Sequence, residues 1–179
     1  MMVEIPLEYQ KKMMRHVSRF YGLHCAIDIM DRNLFPNGKE ITESMGAFFA
    51  VRNYLRDISP RDSEVALVTV GDGNTPRTAS IFAFMTRWKC YSVDPILRDL
   101  DWNIDRLHVA RTPVEQFRLD AKTVVVVSVH SHADMGATLK SITGENRSMV
   151  AIPCCVAYNK VAADVEYYDP GIWSNKNFV

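Results

Sequence analysis

Residues 65–95 read VALVTV, then GDGNTP, then RTASIFAFMTRW, then KCYSVDP, and this stretch decides the fold. The first run is apolar and β-branched, as in a strand buried on both faces. Gly71 and Gly73 permit a sharp turn and let a ligand come close to the backbone. Thr75 is a good helix N-cap, and Pro76 suits the first helical position, where its missing N–H costs nothing. Ile81, Phe82, Phe84 and Met85 then supply an apolar helix face. A second strand ends at Asp94, about 20 residues beyond the glycines, the distance at which an acid can accept hydrogen bonds from ribose hydroxyls. Strand, glycine turn, helix and strand together form half of a nucleotide-type site. The plainer alternative is a simple turn at Gly71 and Gly73, with Asp94 capping Ile96 and Leu97.

The whole chain of 179 residues suits one domain, with helices over 1–60 and the strand-rich core over 61–179. Lysine plus arginine and aspartate plus glutamate both number 21, so net charge carries no nucleic-acid footprint. No apolar run approaches the roughly 20 residues that span a bilayer, and the N-terminus lacks the features of a signal peptide. Cys25, Cys90, Cys154 and Cys155 include an adjacent pair, awkward for a disulfide framework. Reduced thiols and a cytoplasmic location are expected.

Upstream, residues 6–32 have helical spacing, with Leu7, Met14, Val17, Phe20 and Tyr21 on one face. A loop at 33–38 precedes a second helix, expected over 45–57 and opened by Thr42, Glu43 and Ser44. Downstream, 96–105 is expected to be helical, 106–111 a strand, and 114–117 a short helix. Residues 123–129, TVVVVSV, make the clearest buried strand. A helix over 137–142, a turn at 144–147 and a strand over 148–153 follow. Residues 165–168 and 177–179 are expected to pair as a closing hairpin. Strands alternating with helices imply a mostly parallel sheet in an α/β fold, and ligands then bind outside the carboxyl ends of the strands. Those ends carry Gly71, Gly73, Asp94, Arg111, Thr112, the segment 130–134, and Pro153 to Cys155.

The order of these motifs resembles the class I S-adenosylmethionine-dependent methyltransferases over roughly residues 40–179. The resemblance implies a three-layer Rossmann-like sandwich whose parallel sheet closes with a C-terminal antiparallel hairpin. It implies a turn of Gly71, Asp72, Gly73 and Asn74 beside the methionine part of S-adenosylmethionine, and Asp94 on the ribose. Arg111, Thr112 and His130 complete the implied cofactor rim. A narrower pattern, His130 after the fourth strand and Pro153-Cys154-Cys155 after the fifth, is similar to the tRNA ribose 2′-O-methyltransferases. It implies an RNA or nucleotide-containing substrate near Pro153, Cys154 and Cys155. The chain departs from the family at Thr69, where an acid is usual, at Thr75 in place of a third glycine, and at Arg111-Thr112.

Methyl transfer needs alignment of an acceptor with a sulfonium carbon, and a general base when the acceptor is a hydroxyl. His130 is the candidate base, and its alternative role is to close the turn. His132 is a second candidate, for catalysis or substrate contact. Asp134 suits a helix cap. The cysteine pair suits substrate contact, zinc binding with His130 and His132, or packing. No C-x-x-C spacing is present and this chemistry needs no metal. Tyr158, Tyr167, Tyr168 and Trp173 are candidates to stack on a base or to cover the sheet edge. Two further functions are compatible with these residues. One is a catalytically weak or inactive binding subunit with a protein partner. The other is a Rossmann enzyme using NAD or another nucleotide.

Overall fold

The computed structural model describes residues 6–153, 162–174 and 179. It shows an α/β fold built on a five-stranded sheet in the order β3-β2-β1-β4-β5. The strands are β1 (Val65–Val70), β2 (Lys89–Val93), β3 (Leu107–Ala110), β4 (Leu119–Val129) and β5 (Ile142–Ile152). Every pairing is parallel. The expected closing antiparallel strand does not appear among the described pairings. Tyr167 and Val179 exchange reciprocal backbone hydrogen bonds of 3.1 and 3.0 Å, and residues 177 and 178 of the expected hairpin lie outside the described residues.

The centre of the sheet follows from period-two alternation. Val65 and Leu67 of β1, with Val125 and Val127 of β4, face the larger core. Ala66, Val68 and Val70, with Val124 and Val126, face a smaller cluster completed by Val93, Val114 and Ile142. Both faces of β1 are therefore dry, which is why its sequence is apolar apart from Thr69.

The larger core is roofed by α1 (Leu7–Tyr21), α2 (Ala26–Asp31), α3 (Gly38–Tyr54) and α4 (Arg77–Met85). The single helical run expected over 6–32 is thus two helices. The buried face of α1 also differs from expectation. It holds His16 and Phe20, whereas Leu7, Met14 and Tyr21 are exposed. A distant carboxylate explains the shift: Asp169 reaches the His16 ring at 2.9 Å and draws that face inward.

The second helix begins earlier than its apolar spacing suggests. Asn37 caps it by accepting from the Glu40 N–H at 3.1 Å, so Thr42, Glu43 and Ser44 lie inside the helix and are buried. No helix forms over 96–105. Asp94 captures the Ile96 N–H at 2.9 Å, the Arg98 N–H bonds to the Asn74 carbonyl at 3.1 Å, and Asn103 and Arg106 adopt positive φ. Residues 114–117 make only a turn, with i→i+3 bonds from Gln116 and Phe117. Residues 144–147, expected as a turn, lie within β5, and α5 (Met135–Ser141) joins β4 to β5. Gly144 is required there, because a Cβ would stand 2.6 Å from the Ala121 carbonyl oxygen.

Among the described residues no helix is long and apolar enough to cross a membrane. Cys25 and Cys90 are free and buried, and burial pushes the Cys90 thiol up to about 12.

Candidate functional site

The carboxyl ends of β1, β2 and β4 converge on the glycine turn. Gly71 (φ 79°) and Gly73 (φ 81°) both occupy the left-handed region that favours glycine. Between them the chain turns Asp72 inward. Its Oδ2 accepts from Thr69 Oγ1 at 2.8 Å, Ser92 Oγ at 2.9 Å and the Ala79 N–H at 3.2 Å. Its Oδ1 accepts from the Thr78 N–H at 3.1 Å. Asp72 is 3 % exposed. It therefore caps α4, satisfying two of the helix's orphan donors and meeting the positive end of its dipole.

The Asp72 side chain thus faces the interior. One sequence expectation is corrected: Thr75 does not cap the helix, since its hydroxyl donates to the Leu34 carbonyl at 2.6 Å. The cap comes instead from Asp72, in the middle of the turn.

Asp94 closes the other side of the turn. Its Oδ2 accepts from the Gly73 N–H at 2.8 Å and its Oδ1 from the Ile96 N–H at 2.9 Å. Asp94 is 8 % exposed, and each oxygen keeps a second acceptor position. Both expected functions of Asp94, the local cap and the ligand acid, are compatible with this geometry. Asn74 is exposed, and its carbonyl accepts from the Arg98 N–H.

The turn is covered by the chain's own side chains. A Cβ on Gly71 would lie 2.2 Å from Ser131 Oγ, and one on Gly73 would lie 2.9 Å from Arg77 Nη1. Arg77 is held there by Glu40 at 2.9 Å.

His130 ends β4 with φ 48°, a left-handed conformation uncommon for a residue with a side chain. Such strain persists where surrounding contacts impose it. Here the His130 N–H bonds to the Ile152 carbonyl at 2.9 Å, and the ring Nε2 lies 3.1 Å from Glu43 Oε1 and 3.2 Å from Ser174 Oγ. Glu43 is 1 % exposed and also has Lys39 Nζ 2.7 Å from Oε1. Neither contact is a hydrogen bond at Oε1, so both act through charge at close range. Burial alone would push the Glu43 carboxyl up. The close approach of His130 and Lys39 outweighs it and holds the carboxyl below its ordinary value of 4.5.

The C-terminal segment brings Ser174 to this place. Asp169 accepts from the Gly171 N–H at 2.8 Å and pairs with His16 and Arg15. The Trp173 N–H donates to Thr42 Oγ1 at 3.0 Å, and its indole N–H to the Met13 carbonyl at 2.6 Å. Asp169 is buried at 3 % side-chain exposure, so the tether is anchored from inside.

The remaining expected residues are less concentrated. Arg111 pairs with Asp99 at 3.1 Å, and Thr112 donates to Gln116 at 3.3 Å; both pairs are exposed. His132 is exposed, and Pro153 is half-buried at the end of β5. Asp134 caps α5, accepting from the Ala137 N–H at 2.6 Å. Cys154, Cys155 and Tyr158 lie outside the described residues. Among the described residues no cluster of histidine, cysteine and acid side chains is arranged to hold a metal ion. Sequence reasoning passed over Glu40, Glu43, Arg77 and Ser174. Polar residues inside an otherwise apolar helix, Glu43 among them, were the available signal.

Comparison of the chain with protein-family models and with curated proteins returned no match. What the described residues define is an α/β protein with an all-parallel sheet. A polar rim lies at the carboxyl edge of that sheet, and two left-handed glycines, a carboxylate and a histidine meet there.

Proposed function

We propose that the chain is an S-adenosylmethionine-dependent methyltransferase acting on RNA or another nucleotide-containing substrate, built as a three-layer Rossmann-like sandwich. The observation that carries the reading is the contact between the Gly73 N–H and Asp94 across the ends of β1 and β2. It puts the glycine turn and the acid beside the point where the strand order reverses, between β1 and β4. The order β3-β2-β1-β4-β5 matches five strands of the doubly wound dinucleotide-binding order.

The residues fit an adenosyl ligand at Asp94, whose spare acceptor positions suit ribose hydroxyls. When bound, S-adenosylmethionine supplies an electrophilic methyl group. Gly71 and Gly73 give the ligand close access to the backbone, and Asp94 orients it. His130 takes the proton that an acceptor hydroxyl loses.

A second reading is favoured by a specific observation. Ser131 over Gly71 and the Arg77–Glu40 pair over Gly73 fill the same rim. On that reading the chain is a binding or scaffold subunit that kept the fold, with a protein partner.

Titration calorimetry with S-adenosylmethionine separates the two. The methyltransferase reading expects saturable heat, weakened at least tenfold by Asp94→Ala. A folded wild-type protein that gives no heat supports the scaffold reading. If NAD raises the melting temperature and S-adenosylmethionine does not, the ligand is a dinucleotide instead.

A further inference from the structure

The most unusual feature of the rim is a buried carboxylate that no ligand role requires. Glu43 comes from the roofing helix α3, not from a strand end, and it is almost wholly removed from water. A carboxylate in that position survives only if it is paired. Its partners are Lys39, four residues earlier on the same helix, and His130 at the end of β4. Ser174 also faces the His130 ring, and the neighbouring Arg77 and Glu40 neutralise each other.

The chemistry of this pairing constrains the imidazole. Glu43 is held ionised, so both its oxygens are acceptors only. A ring nitrogen 3.1 Å from such an oxygen is repelled if it presents a lone pair, so Nε2 must carry a proton. The Ser174 hydroxyl, on the same nitrogen, can accept from it. In the neutral ring the remaining lone pair then belongs to Nδ1. Among the described residues both polar neighbours sit on Nε2, so Ser174, His130 and Glu43 do not form a nucleophile–base–acid relay, which needs its outer members on opposite nitrogens.

We propose that Glu43 is a positioning residue that fixes His130 in the Nε2–H tautomer and leaves Nδ1 as the nitrogen available to a ligand. Lys39 neutralises Glu43, so the pairing does not depend on a charged imidazole. The tautomer stands on the contacts alone, whereas the use of Nδ1 rests on reading the rim as a ligand site.

The test is nitrogen-15 NMR of the histidine side chains in the full chain at a pH where the rings are neutral. His130→Asn identifies the signal among the five histidines, and asparagine tolerates the left-handed backbone at that position. The expected wild-type spectrum shows Nε2 as the protonated nitrogen. Glu43→Gln keeps the shape but offers both a donor and an acceptor, and should turn the signal into a mixture of tautomers. Glu43→Asp keeps the charge one methylene further away and should give a weaker version of the same change. It serves if the glutamine variant does not fold. A wild-type Nδ1–H ring overturns the proposal, and so does an unaltered Nε2–H ring in a folded Glu43 variant. Adding S-adenosylmethionine to the wild type then tests the ligand reading separately. A shift of the Nδ1 resonance supports it. An unmoved spectrum with the tautomer as expected removes the ligand reading and leaves the Glu43 role intact.

Discussion

Replacing Asp72 by asparagine should destabilise the protein by about 3 kcal/mol, and the structure says where that cost arises. The side chain keeps its volume, so no cavity forms. Oδ2 serves three donors and Oδ1 serves one, the Thr78 N–H at 3.1 Å. The amide therefore places its oxygen at the Oδ2 position and its NH2 at the Oδ1 position. There the NH2 confronts the helix N–H, donor against donor. A hydrogen bond to a charged acceptor contributes roughly 1.5–3 kcal/mol, and a buried donor left without a partner costs on the order of 1–3 kcal/mol. Losing the negative charge at the start of α4 adds about 0.3–1 kcal/mol. These contributions overlap, which puts the total near 3 kcal/mol rather than at their sum.

Urea unfolding at neutral pH measures it, with an unchanged slope showing that the unfolded state is unaltered. The same loss should lower the melting temperature by about 6–12 °C in a chain of this size. A variant within about 0.5 kcal/mol of wild type would refute the capping assignment. If that variant also lost S-adenosylmethionine binding, Asp72 would return to the cofactor contact that its place in the glycine turn suggests.

Two further outcomes follow from the same contacts. Gly71→Ala should destabilise by about 2–4 kcal/mol, combining the left-handed penalty with a Cβ forced against Ser131. Adding Ser131→Gly should recover the steric part alone, and equal stabilities for single and double variants would contradict this. Glu43 and Asp169 both have folded-state values below their ordinary 4.5 and 3.8. Burial acts against Asp169 as it does against Glu43, and the hydrogen bond and charge of His16, with Gly171 and Arg15, prevail. The unfolded state therefore binds more protons as pH falls through these ordinary values. The stabilisation is full above them and is lost toward lower pH. Urea titrations between pH 7 and pH 3 should show a steeper acid loss for wild type than for Glu43→Gln, and matching slopes would contradict the pairing.

The centre of the fold was legible because its physics is local. β1 is dry on both faces and reads as a largely apolar, β-branched run, and the glycines mark a left-handed turn that other residues enter at a cost. The margins were not legible because tertiary contacts override local pattern there. Glu43 and Ser44 look like surface positions, yet they are buried against His130 and Thr78, groups far away in sequence. The early part of β5 has turn chemistry because it is an exposed edge, and only its pairing with β4 makes it a strand. Residues 96–105 have helical spacing, but the Arg98 N–H is drawn to the Asn74 carbonyl and Asn103 and Arg106 adopt positive φ. At the site, the turn and Asp94 were found from spacing, while the inward rotation of Asp72 depends on Thr69 and Ser92 acting together.

The glycines themselves are weaker evidence for a ligand than their motif suggests. Gly71 and Gly73 each have a sufficient reason to be glycine without any ligand, since both adopt positive φ and Ser131 fills the space beside Gly71. A turn that must accommodate its own neighbours selects glycine as strictly as one that must accommodate a cofactor. Asp94 is compatible with both readings, since its two backbone contacts use one acceptor position on each oxygen and leave a second on each. A ligand at this rim would use that spare capacity and fit beside the Arg77–Glu40 pair. A ligand that had to break the pair would give up a contact between two largely buried charges, each left partly uncompensated.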